Sequence, residues 1–244
     1  MSYRDKLYDV YVQNSLGPKN VLSEADWEGY YRFFRRNYGD ILPEDRDARI
    51  LDAGCGTGQF LYFLERAGYT NYVGIDGSPD CVDFCRNSGR SVEEANLLDY
   101  LPEHPDTFDF IVLNDVIEHL KKDEGFAALE HCVQALKPGG TAAIKTDNMG
   151  CPMFAPRSRY GDLTHEVGFT EPSLEAAMSA AGFTNVRVLP VDPHTSPYAP
   201  INVLARLAQK TLHMIFRGIF RLYGVRTHAV MTLSILGVGS RPEE

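Results

Sequence analysis

Two short blocks hold most of the side chains able to do chemistry. In residues 114–119, Asn-Asp-Val-Ile-Glu-His, a helical turn beginning after Asn114 would put Asp115, Glu118 and His119 at i, i+3 and i+4 on one face. Two carboxylates and an imidazole there offer three ligands to a divalent cation such as Mg, able to orient a diol and lower a hydroxyl's pKa. The second block, residues 160–170, reads Tyr-Gly-Asp-Leu-Thr-His-Glu-Val-Gly-Phe-Thr and brings His165 as a fourth ligand or as a general base beside a hydroxyl. The plainer readings are that His119 shapes a pocket and that His165 braces its loop. Nearby Arg157, Arg159 and Tyr160 suit a carboxylate, phosphate or sugar ring, although loop arginines are commonly just solvated.

Residues 49–60, Arg-Ile-Leu-Asp-Ala-Gly-Cys-Gly-Thr-Gly-Gln-Phe, read as a strand, a tight turn and a helix start. Glycines at alternate positions, Gly54, Gly56 and Gly58, permit positive φ and let a ligand approach the main chain. The spacing is not the Gly-x-Gly-x-x-Gly of dinucleotide-binding dehydrogenases. Asp52, two residues before the first glycine, is unfavourable to a pyrophosphate but suits a cationic ammonium group. The next strand ends in Asp76-Gly77, where a carboxylate can accept hydrogen bonds from both hydroxyls of a ribose; the competing role is helix capping beside Ser78-Pro79.

These groups need a scaffold, and the pattern from Arg49 onward alternates strands with helices. Strands are predicted at 49–53, 72–76, 92–96, 109–114, 141–146, 184–191 and 229–238. Helices are predicted at 58–67, 79–88, 123–136, from Glu171 to Ala181, and at 200–223, with Lys-Pro-Gly-Gly at 137–140 as a turn. The implied fold is α/β, a Rossmann-like, doubly wound seven-stranded sheet with helices on both faces, its strands mostly parallel. Residues 1–46 read as an N-terminal helical cap, with Trp27, Tyr30, Tyr31 and Phe34 on one stripe of a helix from Glu24 to Tyr38, and 47–244 as the main domain.

The 49–60 stretch closely resembles the first motif of the class I S-adenosylmethionine-dependent methyltransferases, and the resemblance extends over roughly 48–192 and the last strand, which in that family inserts antiparallel. It implies S-adenosylmethionine as cofactor, with the glycine loop against its methionine part. Asn96 would then face the adenine amino group with Leu97 over the ring, and Asn114 would lie beneath the methionine moiety. Asp-x-x-Glu-His followed by a distant Thr-His is similar to ubiquinone-pathway O-methyltransferases, and its first part also to small-RNA 2′-O-methyltransferases, where these residues hold a divalent cation. Asp115 stands where a longer Glu is usual. The run Arg-Tyr-x-Asp-x-Thr-His-Glu-x-x-Phe-Thr resembles methyltransferases of bacterial surface-polysaccharide synthesis, implying O-methylation of a sugar hydroxyl in a glycan or its precursor. The alternatives are metal-assisted methylation of a small phenolic or quinone-pathway acceptor, and a cofactor-binding subunit without turnover.

The bulk properties narrow the partners. A net charge of −9 on 244 residues argues against general affinity for nucleic acid. Five scattered cysteines form no disulfide or zinc pattern, and neither a signal segment nor an apolar run long enough to span a bilayer is present, so a cytoplasmic location is expected. One segment departs from the acidic average. Over 201–223 a broad apolar stripe is interspersed with Arg206, Lys210, Arg217 and Arg221 and contains no acid. Such a basic amphipathic helix could lie on an anionic bilayer at the inner face of the membrane, dock a partner, cover the sheet or form a homodimer surface.

Overall fold

The computed structural model describes residues 7, 22–193, 200–225 and 227–243. All four residues of β1 (Ile50–Ala53), Asp52 among them, are buried, as in a strand flanked on both sides and covered on both faces. β1 pairs in parallel with β2 (Tyr72–Asp76) and with β4 (Phe108–Asn114); β2 carries β3 (Val92–Glu94), and β4 carries β5 (Leu136–Asp147). β7 (Ser234–Ser240) inserts antiparallel between β5 and β6 (Thr184–Pro190), giving the order β3-β2-β1-β4-β5-β7-β6. The Rossmann-like seven-stranded sheet is thus as the sequence predicts.

Alternate residues of each strand feed two separate cores, the period-2 rule at work. Leu51, Ile75, Ile111 and Ile144 pack on one face, together with α5 (Lys122–Ala135) and α7 (Glu171–Ala180). Ile50, Tyr72, Phe110 and Val112 pack on the other, with α2 (Gln59–Arg66) and α3 (Pro79–Asn87). α1 (Glu24–Tyr38) starts at a capping box in which Ser23 N–H donates to Asp26 and Asp26 N–H to the Ser23 hydroxyl. Its aromatic stripe lies on α2, with Phe34 edge-on to Phe60 at 5.0 Å and Tyr38 to Phe60 at 5.3 Å. The cap residues 1–6 and 8–21 lie outside the described residues.

Three boundaries differ from the sequence expectation. β3 stops at Glu94, because Asn96 turns to cap the four-residue α4 (Leu97–Tyr100). Lys137–Gly140 is no separate turn: β5 starts at Leu136 and these four residues bulge, so that Leu136 faces Phe108 while Thr141 faces Phe110. Gly139 takes φ +75 there, and Lys137 donates to both oxygens of Asp109 across the bulge. The last strand begins at Ser234 rather than 229. All five cysteines are buried free thiols, and among the described residues no helix is long and apolar enough to cross a membrane. A short α6 (Ala155–Gly161) and the long α8 (Pro200–Leu222) complete the elements.

Candidate active site

The carboxyl ends of β1, β2 and β4 open into a cleft of about 860 Å3, at the point where the strand order reverses. Asp52, Gly54, Gly56, Asp76, Gly77, Asn96, Leu97, Asn114, Asp115 and His119 all line it. Gly58 does not. Its φ of +81 starts α2, and a Cβ there would strike Cys85 Sγ at 2.9 Å, so its role is packing.

The glycine loop is built from the neighbouring strand. Gly54 and Cys55 donate to the Ile75 carbonyl at 2.8 and 2.9 Å, and Gly56 donates to Asp76 Oδ2 at 2.9 Å. Asp76 Oδ1 accepts from Ser78 N–H at 2.8 Å, so this buried carboxylate ties the loop to the start of α3. The two roles weighed for Asp76 are therefore not exclusive. A Cβ on Gly56 would meet no protein atom and would point into open space, which is what close approach of a ligand to the backbone needs.

Asp52 is the electrostatic anomaly of the cleft. It is 1% exposed and neither carboxylate oxygen has a hydrogen-bond partner. Burial, then Cys85 and Asp76, pushes its carboxyl well above the usual range. An orphaned buried carboxylate beside a glycine cradle fits the ammonium group of an amino-acid-bearing ligand. Asn114 Oδ1 accepts from the Tyr38 hydroxyl, anchoring the end of α1, while its Nδ2 is buried without a partner. Asn96 Oδ1 already accepts from Leu98 N–H at 2.9 Å, which leaves its amide donors and one lone pair for a ligand.

The turn after Asn114 is not the helix that the sequence suggests. Asp115 adopts φ +55 and a 3-10 turn follows at Ile117–His119, so Asp115 leaves the face shared by Glu118 and His119. Its carboxylate instead receives both hydrogen bonds of the Lys145 ammonium from β5. Burial pushes Lys145 down, but Asp115 outweighs it and holds the ammonium above the ordinary lysine value.

Glu118, His119 and His165 do come together, one possible ligand atom from each lying within 4.8 Å of the others. The loop carrying His165 is fastened to Glu118 by main chain: Glu166 N–H and Val167 N–H both donate to the Glu118 carbonyl, at 2.8 and 3.1 Å. Arg159 donates to the carbonyls of His165 and Glu166, so it braces this loop, while Arg157 and Tyr160 are exposed. Thr164 Oγ1 gives its proton to Asp162 Oδ1 at 2.6 Å and therefore accepts from His119 Nδ1 at 2.8 Å. His165 Nδ1 donates to the Ser158 carbonyl at 2.8 Å. Both imidazoles thus carry a proton on Nδ1. Burial, then His165, pushes His119 down, which favours the neutral base. Burial and then Asp115 push Glu118 up to about 8, and its Oε2 is buried without a partner. Two imidazoles held through Nδ1, beside a buried carboxyl group with one unpartnered oxygen, form a donor set that fits a divalent cation. Lys145, Asp162 and Thr164 were not singled out from sequence; the Asp-x-Thr spacing, which here closes a turn with Thr164 N–H on Asp162 Oδ1, was the available signal.

The methyltransferase domain family matches residues 27–188, well over half of the chain. The chain belongs to that family. It is an S-adenosylmethionine-dependent methyltransferase, with S-adenosylmethionine as methyl donor. Among related proteins, the tRNA U34 carboxymethyltransferase of Azotobacter vinelandii is 29% identical over 187 residues, 70% of this chain and 55% of that protein. The ubiquinone biosynthesis O-methyltransferase of Xanthomonas campestris pv. campestris is 32% identical over 116 residues, 44% of this chain and 46% of that one. The chain thus spans about half the length of these relatives. A methyltransferase structure from Archaeoglobus fulgidus superposes with a TM-score of 0.65 at 18% identity, over 96% of this chain and 99% of that one. A Haloferax volcanii methyltransferase solved with its activator Trm112 gives 0.69 at 17%, over 100% and 99%. These two show the fold.

Proposed function

We propose that this methyltransferase transfers the methyl group to a sugar hydroxyl of a surface glycan or its precursor, with His119 taking the hydroxyl proton. The observation that carries this reading is the Asp162–Thr164–His119 chain at the edge of the cleft, which holds the His119 ring by Nδ1 in the cleft lining. Methyl transfer from a sulfonium requires an aligned nucleophile and a place for its proton, and little else. In this reading Asp52 faces the ammonium of the donor, Asp76 its ribose, and Asn96 and Leu97 its adenine, with Gly54 and Gly56 giving main-chain access. The sugar assignment rests on the resemblance of residues 159–170.

A second reading is favoured by the held imidazoles and the unpartnered Glu118 oxygen. In it Glu118, His119 and His165 bind a divalent cation that orients and acidifies the hydroxyls of a small phenolic or quinone-pathway acceptor; the Xanthomonas relative is named for ubiquinone biosynthesis. A tRNA acceptor, as in the Azotobacter relative, is disfavoured by the charge of the cleft. Among its described lining residues Lys121 is the one lysine or arginine, no frame for a polyanion.

The test is mass spectrometry of nucleotide-sugars, lipid-free glycans, catechol-type phenols and tRNA, each incubated with the enzyme and labelled S-adenosylmethionine. Label on a sugar oxygen is expected; label on a phenolic oxygen selects the second reading, and label on tRNA overturns both.

A further inference from the structure

We infer that α8 is a bilayer-binding helix that lies flat on an anionic lipid surface, independently of which acceptor is methylated. Over its described side chains, 202–222, none is buried. The less exposed side of the helix is a ridge of Ala205, Gln209, Leu212, Phe216 and Phe220, spaced at three and four residues. The opposite face is apolar and open: Leu204, Leu207, Met214, Ile215 and Leu222 are each more than half exposed, with Leu222 at 86%. Large apolar side chains exposed along one face of a helix are unfavourable in water and mark a surface meant to be covered.

The charges select the cover. Arg206, Lys210, Arg217 and Arg221 are separated by four, seven and four residues, a spacing that keeps them along one flank between the open face and the ridge. Arg206 reaches Asp192 at 3.1 Å and Arg217 donates to the Ala229 carbonyl, so that flank is also held to the protein body. Within 200–225 there is no acidic residue, although the chain as a whole carries −9. A second copy packing α8 on α8 would therefore bring no carboxylate from that helix to these cations. An anionic bilayer satisfies both features: acyl chains accept the apolar face, and lipid phosphates meet the basic flank. The helix is too polar to cross, so it binds in the interface plane. Tyr223, 81% exposed just after the helix, adds a side chain suited to that depth.

The experiment is vesicle flotation of the full chain with phosphatidylcholine alone and with added phosphatidylglycerol. Binding to the anionic vesicles should exceed that to neutral ones by on the order of tenfold and fall with added salt. Leu207→Glu with Ile215→Glu should abolish it, and Lys210→Glu with Arg221→Glu should remove the preference for anionic lipid, both retaining wild-type calorimetric affinity for S-adenosylmethionine. Failure of the wild-type chain to float, or equal binding to both vesicle types, overturns the inference whatever the variants do. A dimer in sedimentation equilibrium that the Leu207→Glu, Ile215→Glu chain loses, without flotation, assigns the face to a second copy instead.

Discussion

The imidazoles of His119 and His165 meet edge to face, ring centroids 4.7 Å apart, and each is held through Nδ1, one by the Thr164 hydroxyl and the other by the Ser158 carbonyl. Neither ring can change tautomer without losing a hydrogen bond. Thr164→Val removes the oxygen that orients His119, while keeping its shape. Turnover is expected to drop by about tenfold with S-adenosylmethionine affinity unchanged, since general-base contributions are on the order of 100-fold or more and only the orientation is lost. Steady-state kinetics beside calorimetry separates the two readouts.

Chelation distinguishes a proton-accepting His119 from a metal-bound one. If Glu118, His119 and His165 hold a cation, dialysis against a strong chelator should abolish turnover, Mg or Mn should restore it, and Glu118→Gln should raise the metal required by roughly 10- to 100-fold. An undiminished rate after exhaustive chelation removes the cation from the mechanism.

Asp52 gives the pH dependence its sign. Its folded pKa lies above the unfolded value, so between the two the ligand-free native protein holds a proton that the unfolded chain has released. Ligand-free stability should therefore fall as pH rises from the ordinary carboxylate range, with a slope of at most about 1.4 kcal/mol per pH unit, and Asp52→Asn should flatten that slope. An ammonium ligand demands the ionised form. Binding of S-adenosylmethionine should accordingly strengthen with pH and release a proton, detectable by calorimetry in buffers of different ionisation heat. Asp52→Asn should lose the proton release and weaken binding by roughly 10- to 100-fold, the worth of one charge-assisted hydrogen bond.

Two glycines of one loop should fail in different ways. An alanine Cβ at Gly54, φ +81, would run into the Val116 side chain, so Gly54→Ala should lower the midpoint of chemical unfolding strongly. At Gly56, φ +51, there is backbone strain of about 1–2 kcal/mol but no clash, so Gly56→Ala should fold and yet lose the cofactor. Equal loss of stability in both variants would contradict this division.

Lys145 is 9% exposed as a residue and depends on Asp115. Asp115→Ala leaves a buried ammonium without its partner and should cost about 1–3 kcal/mol, discounted because Asp115 is itself half exposed. Lys145→Met in the same chain should recover part of that loss, measurable as a double-mutant cycle in urea.

The parts legible in the sequence are those fixed by local spacing. The β1–loop–α2 unit, Asp76 beside Ser78-Pro79, and the alternation of strands and helices each follow from a few adjacent residues. The parts that sequence reasoning misplaced depend on distant partners. Asp115 left its expected face because Lys145, in another strand, draws its carboxylate away through a left-handed residue. The Lys137–Gly140 turn became a bulge because Asp109 of β4 supplies the counter-charge. Asp162 and Thr164 acquire meaning only once main-chain bonds to Glu118 bring their loop against His119.

The place of β7 sets an order of assembly. Among the described residues β6 has β7 as its one sheet neighbour, yet α8 is synthesised between them. On the ribosome the cofactor half of the sheet, β3-β2-β1-β4, can close while β5 is still a bare edge and β6 unpaired, both waiting for a strand that emerges over forty residues later. A nascent chain stalled within α8 should therefore already protect its glycine loop from proteolysis while remaining sticky at the acceptor end.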